Sequence, residues 1–453
     1  MKSCFRLILL LLISQNLVAQ SLKIESNNFS SALTKAKSEN KPLCVLLIPS
    51  EKIPVPTSFV NIRKDKGITT ILNKNFINFV PSDEDTIRQF IKKKYPVERT
   101  PLLLFVNGEG ELFYRFFPNF KSADSLTSHF KIAAEKFREE RALPWYVQEY
   151  KKGNRDTTFL KSYIKERESL GIYFNHWLAE EYAQQLPLKS VTSIPVIGFL
   201  LHTGLVYGSP LYNLITSRTS LRDSAWARFT LKERMEINSR TGFNTFTAAV
   251  KKKDRMLGMK SAEHARGLWS SKDYSYAQYI YEKELTRFYS AIKDTSQLLN
   301  HITFLIERNY LTVTTDSVKK YRALYPELKS KVEEEADERP ALYNSDRSTL
   351  VLKRARAGLI ARAPMELNNA AWTVYNSSTN KDLLIKALSW SKQAVKLEPL
   401  PETYDTLAHL LYKLEFYHEA EQMEIEALKL AKSSNRYTEK YKTAIEKMKS
   451  RAL

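Results

Sequence analysis

Ala32-Leu33-Thr34-Lys35-Ala36-Lys37-Ser38-Glu39-Asn40-Lys41-Pro42 runs directly into Leu43-Cys44-Val45-Leu46-Leu47-Ile48. The first stretch closes a helix: from Phe29 to Glu39 the apolar residues keep helical spacing, and Lys41-Pro42 stops it. The second is a short, unbroken apolar run, the pattern of a strand covered on both faces. Outward from this junction the same alternation continues. Phe76 to Val80 reads as a second strand, ended by Pro81, and Asp85 to Tyr95 as a helix with Ile87, Phe90 and Ile91 on one stripe. Leu102–Val106, Asn107-Gly108-Glu109-Gly110 and Leu112–Phe117 make a hairpin with glycines in its turn. Ser122 to Arg141 is an amphipathic helix carrying Leu126, Phe130, Ala133, Ala134 and Phe137 at helical steps.

This order of elements, with Thr100-Pro101 leading into the hairpin, resembles the thioredoxin family over residues 21–141. The resemblance implies an α/β thioredoxin-like domain, a cis bond before Pro101, and a groove beside Thr100 and Pro101 where an extended peptide pairs with backbone groups. The departure is at the redox site. After Ile48 the chain reads Pro49-Ser50-Glu51-Lys52-Ile53, with Pro54 and Pro56 following and no cysteine before Val60. Thiol–disulfide exchange needs an attacking thiolate and a second, resolving thiol. Neither is present in that loop. Cys44 lies earlier, inside the strand, and reads as a small buried hydrophobe.

The first nineteen residues read as a secretory signal. Lys2 and Arg6 supply positive charge, Leu7 to Ile13 an apolar core, and Leu17-Val18-Ala19 a cleavage site. Cleavage removes Cys4 and leaves Cys44 alone, so no disulfide forms within the mature chain. Ile194 to Val206 is the other long apolar stretch. Pro195, Gly198, His202 and Gly204 interrupt it and it is shorter than the roughly 20 residues a membrane span needs. No transmembrane segment is expected after signal cleavage. The formal charge is +20, spread along the whole chain. With export, this reads as a solvated surface, and nucleic acid is not an expected partner.

Residues 142–345 read as helical, with aromatic clusters such as Trp145, Tyr146, Tyr150, Phe159, Tyr163 and Trp177 that fit core packing. The acidic run Glu333–Glu338 before Arg339-Pro340 marks a boundary. In residues 365–451, Ala387 and Ala394 lie seven apart, as do Ala420 and Ala427, and each pair follows another helix. Seven residues return to the same helix face, where alanine lets backbones approach. With Ala408 and Tyr417, this resembles the tetratricopeptide repeat, closed by a lysine-rich capping helix from Arg436 to Arg451. Such stacks offer a concave groove, here near Trp372, Tyr375, His409 and Tyr412.

Searching for chemistry gives a negative. His129, His176, His202, His264, His301, His409 and His418 are scattered, without a metal-binding or catalytic spacing. There is no phosphate-cradling glycine loop and no Gly-x-Ser-x-Gly elbow. The whole arrangement resembles exported thioredoxin-domain proteins of Bacteroidetes-type bacteria, in a form lacking the redox cysteines. It implies a periplasmic scaffold that binds an envelope protein or peptide, with no cofactor, no metal and no catalytic residue. The alternative is an envelope enzyme: a thiol–disulfide oxidoreductase using Cys44, or a hydrolase sited in the middle region.

Overall fold

A computed structural model describes residues 21–25, 28–48, 60–81, 86–95, 97, 99–139, 142–336 and 345–453. The expected signal peptide, the thiol-free loop over 49–59 and residues 337–340 of the expected boundary lie outside the described residues, while 333–336 of that boundary end a helix. The chain folds as two units, Met1–Pro187 and Leu188–Leu453.

The first unit runs α1 (Phe29–Ser38), β1 (Leu43–Leu47), α2 (Lys66–Asn75), β2 (Ile77–Phe79), α3 (Thr86–Lys94), β3 (Leu102–Val106), β4 (Leu112–Phe116) and α4 (Ala123–Lys136). Three further helices follow: α5 (Leu143–Lys151), α6 (Thr157–Ser169) and α7 (His176–Gln184). Side chains of Asn28, Asp65 and Ser122 accept from the first free N–H groups of α1, α2 and α4, so each helix starts at a polar cap.

The strands form one mixed sheet in the order β2-β1-β3-β4. β1 runs parallel to β2, with Leu43 opposite Ile77, and antiparallel to β3, with Leu47 opposite Leu102. Every residue of β1 and β3 is buried. These two central strands are therefore apolar without alternation, as the sequence predicts for a sheet covered on both faces. Cys44, Leu46, Leu103 and Phe105 pack with Leu72 of α2 and with Leu126 and Phe130 of α4. On the other face, Phe29 of α1 meets Phe79 edge-on at 5.6 Å.

The hairpin between β3 and β4 is held by its own residues. Asn107 Oδ1 accepts from the N–H groups of Glu109 and Glu111, and the Tyr95 hydroxyl donates to the Gly110 carbonyl at 2.7 Å. A Cβ on Gly108 would sit 2.7 Å from Lys37 Cα, so only glycine fits where the turn meets the end of α1.

Two expectations need correction here. α4 ends at Lys136 rather than Arg141, because exposed Arg138 and Glu139 give a longer helix nothing to bury. Phe90, placed on the apolar stripe of α3, is exposed, with one edge against Phe29. The rings of α5–α7 do pack as a core: Tyr146 stacks on Tyr163 at 5.7 Å, and Tyr150 meets Trp177 at 5.1 Å.

Among its described residues, the second unit is wholly helical. It begins with α8 (Leu188–Val191), α9 (Ile194–His202), α10 (Pro210–Thr216), α11 (Thr219–Trp226), α12 (Leu231–Lys252) and α13 (Arg255–Gly267). α14 (Tyr274–Ile292), α15 (Thr295–Asn309), α16 (Thr315–Ala336) and α17 (Ser345–Ala361) continue it. α18 (Ala363–Ser377), α19 (Lys381–Leu397), α20 (Pro401–Lys413), α21 (Tyr417–Ser433) and α22 (Glu439–Lys449) complete it.

The apolar stretch from Ile194 forms one nine-residue helix, and no helix of the described residues is long and apolar enough to cross a membrane. Ala387, Ala394, Ala420 and Ala427 are all fully buried, as helix pairs in close approach require. Trp390 fills the centre of a large core shared by α14, α15, α18 and α19. The closing helix α22 is lysine-rich outside but buries Tyr441, Ala444, Ile445 and Met448.

Candidate functional site

Helix α18 carries Trp372 and Tyr375 three residues apart, on one face. Their rings stack at 4.9 Å with 25° between planes. Helix α20 brings His409 edge-on to both, 5.2 Å from Trp372 and 5.4 Å from Tyr375. Lys413, one turn further along α20, donates to the Tyr375 carbonyl and lies over the Tyr375 ring. Trp372 keeps 36 % of its surface exposed, so the cluster presents an aromatic face to solvent.

Three of the four residues expected in the repeat groove therefore come together. Tyr412 does not join them. It packs edge-on against Tyr417 at 5.1 Å, and its hydroxyl oxygen accepts from the Leu453 N–H at 3.4 Å. Three residues along a helix leave an offset of about 60°, so Tyr412 shares the broad face of His409, and its ring is drawn instead to Tyr417 of α21. In the first unit the Thr100–Pro101 bond is cis, Thr100 is exposed and Pro101 half-buried at the entry to β3. The 49–59 loop expected beside them lies outside the described residues.

Behind the aromatic face lies a charged cluster that the spacing search did not single out. His409 Nδ1 donates to the Asp405 carbonyl oxygen at 2.8 Å and lies 3.5 Å from Asp405 Oδ1. From α21, Glu424 brings Oε2 to 4.0 Å from the same nitrogen. Glu424 is fully buried, and neither of its carboxylate oxygens meets an N–H or hydroxyl donor among the described residues; the group it faces is the Asp405 carboxyl, with which it can share a proton. Burial first, and the facing Asp405 carboxylate second, push the Glu424 carboxyl up to about 9. Lys440 of α22 closes the edge, 3.4 Å from Asp405 Oδ2.

A signal for this cluster does exist in the sequence. Ala420, Glu424, Ala427 and Ala431 follow one another at steps of four, three and four, so Glu424 occupies the alanine face that packs on α20. A carboxylate on a small-residue packing face must desolvate.

Cys44 is buried within β1, and burial raises its thiol well above the usual range, which disfavours the thiolate. The buried carboxylate of the middle region is different again: Glu282 accepts from His301 Nδ1 at 2.7 Å and from Gln278 at 3.4 Å. Compared with protein-family models, curated proteins and solved structures, the chain finds no match in any of the three.

Proposed function

We propose that this chain is an exported thioredoxin-like protein without thiol chemistry, which holds an envelope protein or peptide on its tetratricopeptide-like C-terminal helices. The observation that carries the reading is the half-open aromatic cluster of Trp372, Tyr375 and His409. Stacked aromatics offer large contact area at little entropic cost, and Trp and Tyr dominate the energetics of protein interfaces. Further support comes from the burial of Cys44, which removes the one candidate thiol from solvent. The mixed sheet and the cis bond at Pro101 are compatible with the thioredoxin-like reading of the first unit.

The test is capture from envelope extract by the chain beginning at Gln20, beside its Trp372→Ala form. Loss of an interface anchor costs about 2 kcal/mol, roughly a thirtyfold weaker complex. A partner retained by the parent chain and lost by Trp372→Ala is the expected result. Equal capture by both would place binding elsewhere on the protein.

A further inference from the structure

The geometry points to a divalent transition-metal site between α20 and α21, formed by Asp405, His409 and Glu424. This inference is independent of the peptide-binding reading. One candidate ligand atom from each residue lies within 4.8 Å of the other two. The His409 Nδ1 distances of 3.5 Å to Asp405 and 4.0 Å to Glu424 are the ones that matter. Metal–nitrogen and metal–oxygen bonds of about 2.0–2.2 Å set tetrahedral ligands roughly 3.3–3.6 Å apart. The His409–Asp405 edge already has this spacing, and the His409–Glu424 edge reaches it by a contraction of about half an ångström, within the reach of side-chain rotation.

A second observation separates this cluster from the ordinary grouping of acids and histidines on helix faces. Glu424 has no exposed surface, and among the described residues no N–H or hydroxyl donor reaches either of its oxygens; its one polar neighbour of hydrogen-bonding kind is Asp405, itself a member of the cluster. A buried carboxylate is normally paired or bound to metal. Glu424 has its oxygen turned toward an imidazole nitrogen and a second carboxylate. His409 and Asp405 side chains are 12 % and 18 % exposed, so an ion and a completing water reach the cluster from solvent.

The proton accounting is simple. His409 now uses Nδ1–H on the Asp405 carbonyl. Ligation through Nδ1 breaks this bond: the proton moves to Nε2, the ring turns from the Asp405 carbonyl toward the two carboxylates, and Glu424 delivers its own proton to solvent as the ion enters. Two carboxylates balance the ion's charge. Lys440 stays on Asp405 Oδ2, leaving Oδ1 for the ion. One imidazole and two carboxylates suit ions of the zinc, cobalt and manganese kind better than calcium.

The experiment uses the full mature chain, stripped with chelator and titrated with Co2+ and then with Zn2+. One equivalent of Co2+ should produce the intense visible bands of a low-coordinate site, and Zn2+ should bleach them. Loss of a ligand should weaken binding by more than the ten- to about 100-fold typical of second-shell changes. Glu424→Gln and His409→Gln should each do so while keeping the parent's helical circular dichroism. Asp405→Asn provides a third variant if either of these fails to fold. Unchanged affinity in the folded variants overturns the site, as does the lack of a stoichiometric Co2+ spectrum in the parent chain.

Discussion

Glu282 and Glu424 are both carboxylates set into helix pairs of the second unit, and their surroundings are opposite. Glu282, on α14, is held by His301 from α15 and Gln278 from its own helix. Glu424, on α21, meets no N–H or hydroxyl donor among the described residues and faces only a second acid, Asp405, with which it can share a proton. The first is a closed arrangement in which the acid is satisfied by the fold. The second sets two acids against each other, with a shared proton in place of a basic partner. Local stability therefore accounts for Glu282 and leaves Glu424 unexplained, which is why the candidate site is sought at the second.

The contrast is tested most severely by His301→Ala. This change should strand Glu282 without its main partner and lower stability by roughly 3 kcal/mol, the upper end for an orphaned buried polar group. Denaturant unfolding measures it, and a loss under about 0.5 kcal/mol, the scatter of ordinary surface changes, would erase the difference between the two acids. Next comes the packing that surrounds Glu424. Ala420 is fully buried between α20 and α21, so Ala420→Leu should overpack the pair and cost about 2 kcal/mol by the same assay.

Replacement of Glu424 itself should run the other way. In metal-free protein Glu424→Met should be about 1 kcal/mol more stable, since an apolar side chain of similar length removes the desolvated acid. Its pH dependence should change too. The folded protein holds the Glu424 proton up to about 9, whereas an unfolded chain releases it near 4.5. Between these values the folded state binds more protons, so the contribution of Glu424 to stability is greatest below 4.5 and declines as pH rises, by at most about 1.4 kcal/mol per pH unit. Asp405, His409 and Lys440 face the group and are kept in place. Melting temperatures from pH 5 to 9 should slope downward less in Glu424→Met than in the parent, and parallel slopes would dismiss the assignment. The smallest expected effect belongs to the first unit. Cys44 should react with a thiol reagent only after denaturation, and rapid labelling of the native mature chain would reopen the redox reading.

Much of the architecture is written in short-range pattern. The Leu43–Ile48 run, short and set off by Lys41-Pro42, reads as a strand covered on both faces and forms one over Leu43–Leu47, and the alanine pairs at 387/394 and 420/427 are buried as close helix contact requires. What the pattern hides is which side of a half-buried helix a ring takes. Tyr412 and His409 are three positions apart on α20, yet only His409 reaches the Trp372 ring. Phe90 shares a stripe with Ile91 but stays exposed, because its neighbour Phe29 covers only one edge. The Asp405–His409–Glu424 cluster is spread over two helices, with fourteen residues separating His409 from Glu424. A search for fixed metal-ligand spacings passes over it, and the alanine face around Glu424 is the local clue.

The interior of the second unit is divided unevenly. Trp390 belongs to one broad core reaching from α14 to Leu410 of α20, whereas Leu407, Ala420 and Met448 form a small cluster, and Ala427, Ala431 and Tyr441 another. Cores of such different size open at different free energies. Amide hydrogens of α21 and α22 should exchange with deuterium well before those of α19, through fraying that leaves the rest folded. The C-terminal helices then open ahead of the Trp390 core, and any ion bridging α20 to α21 would slow that opening.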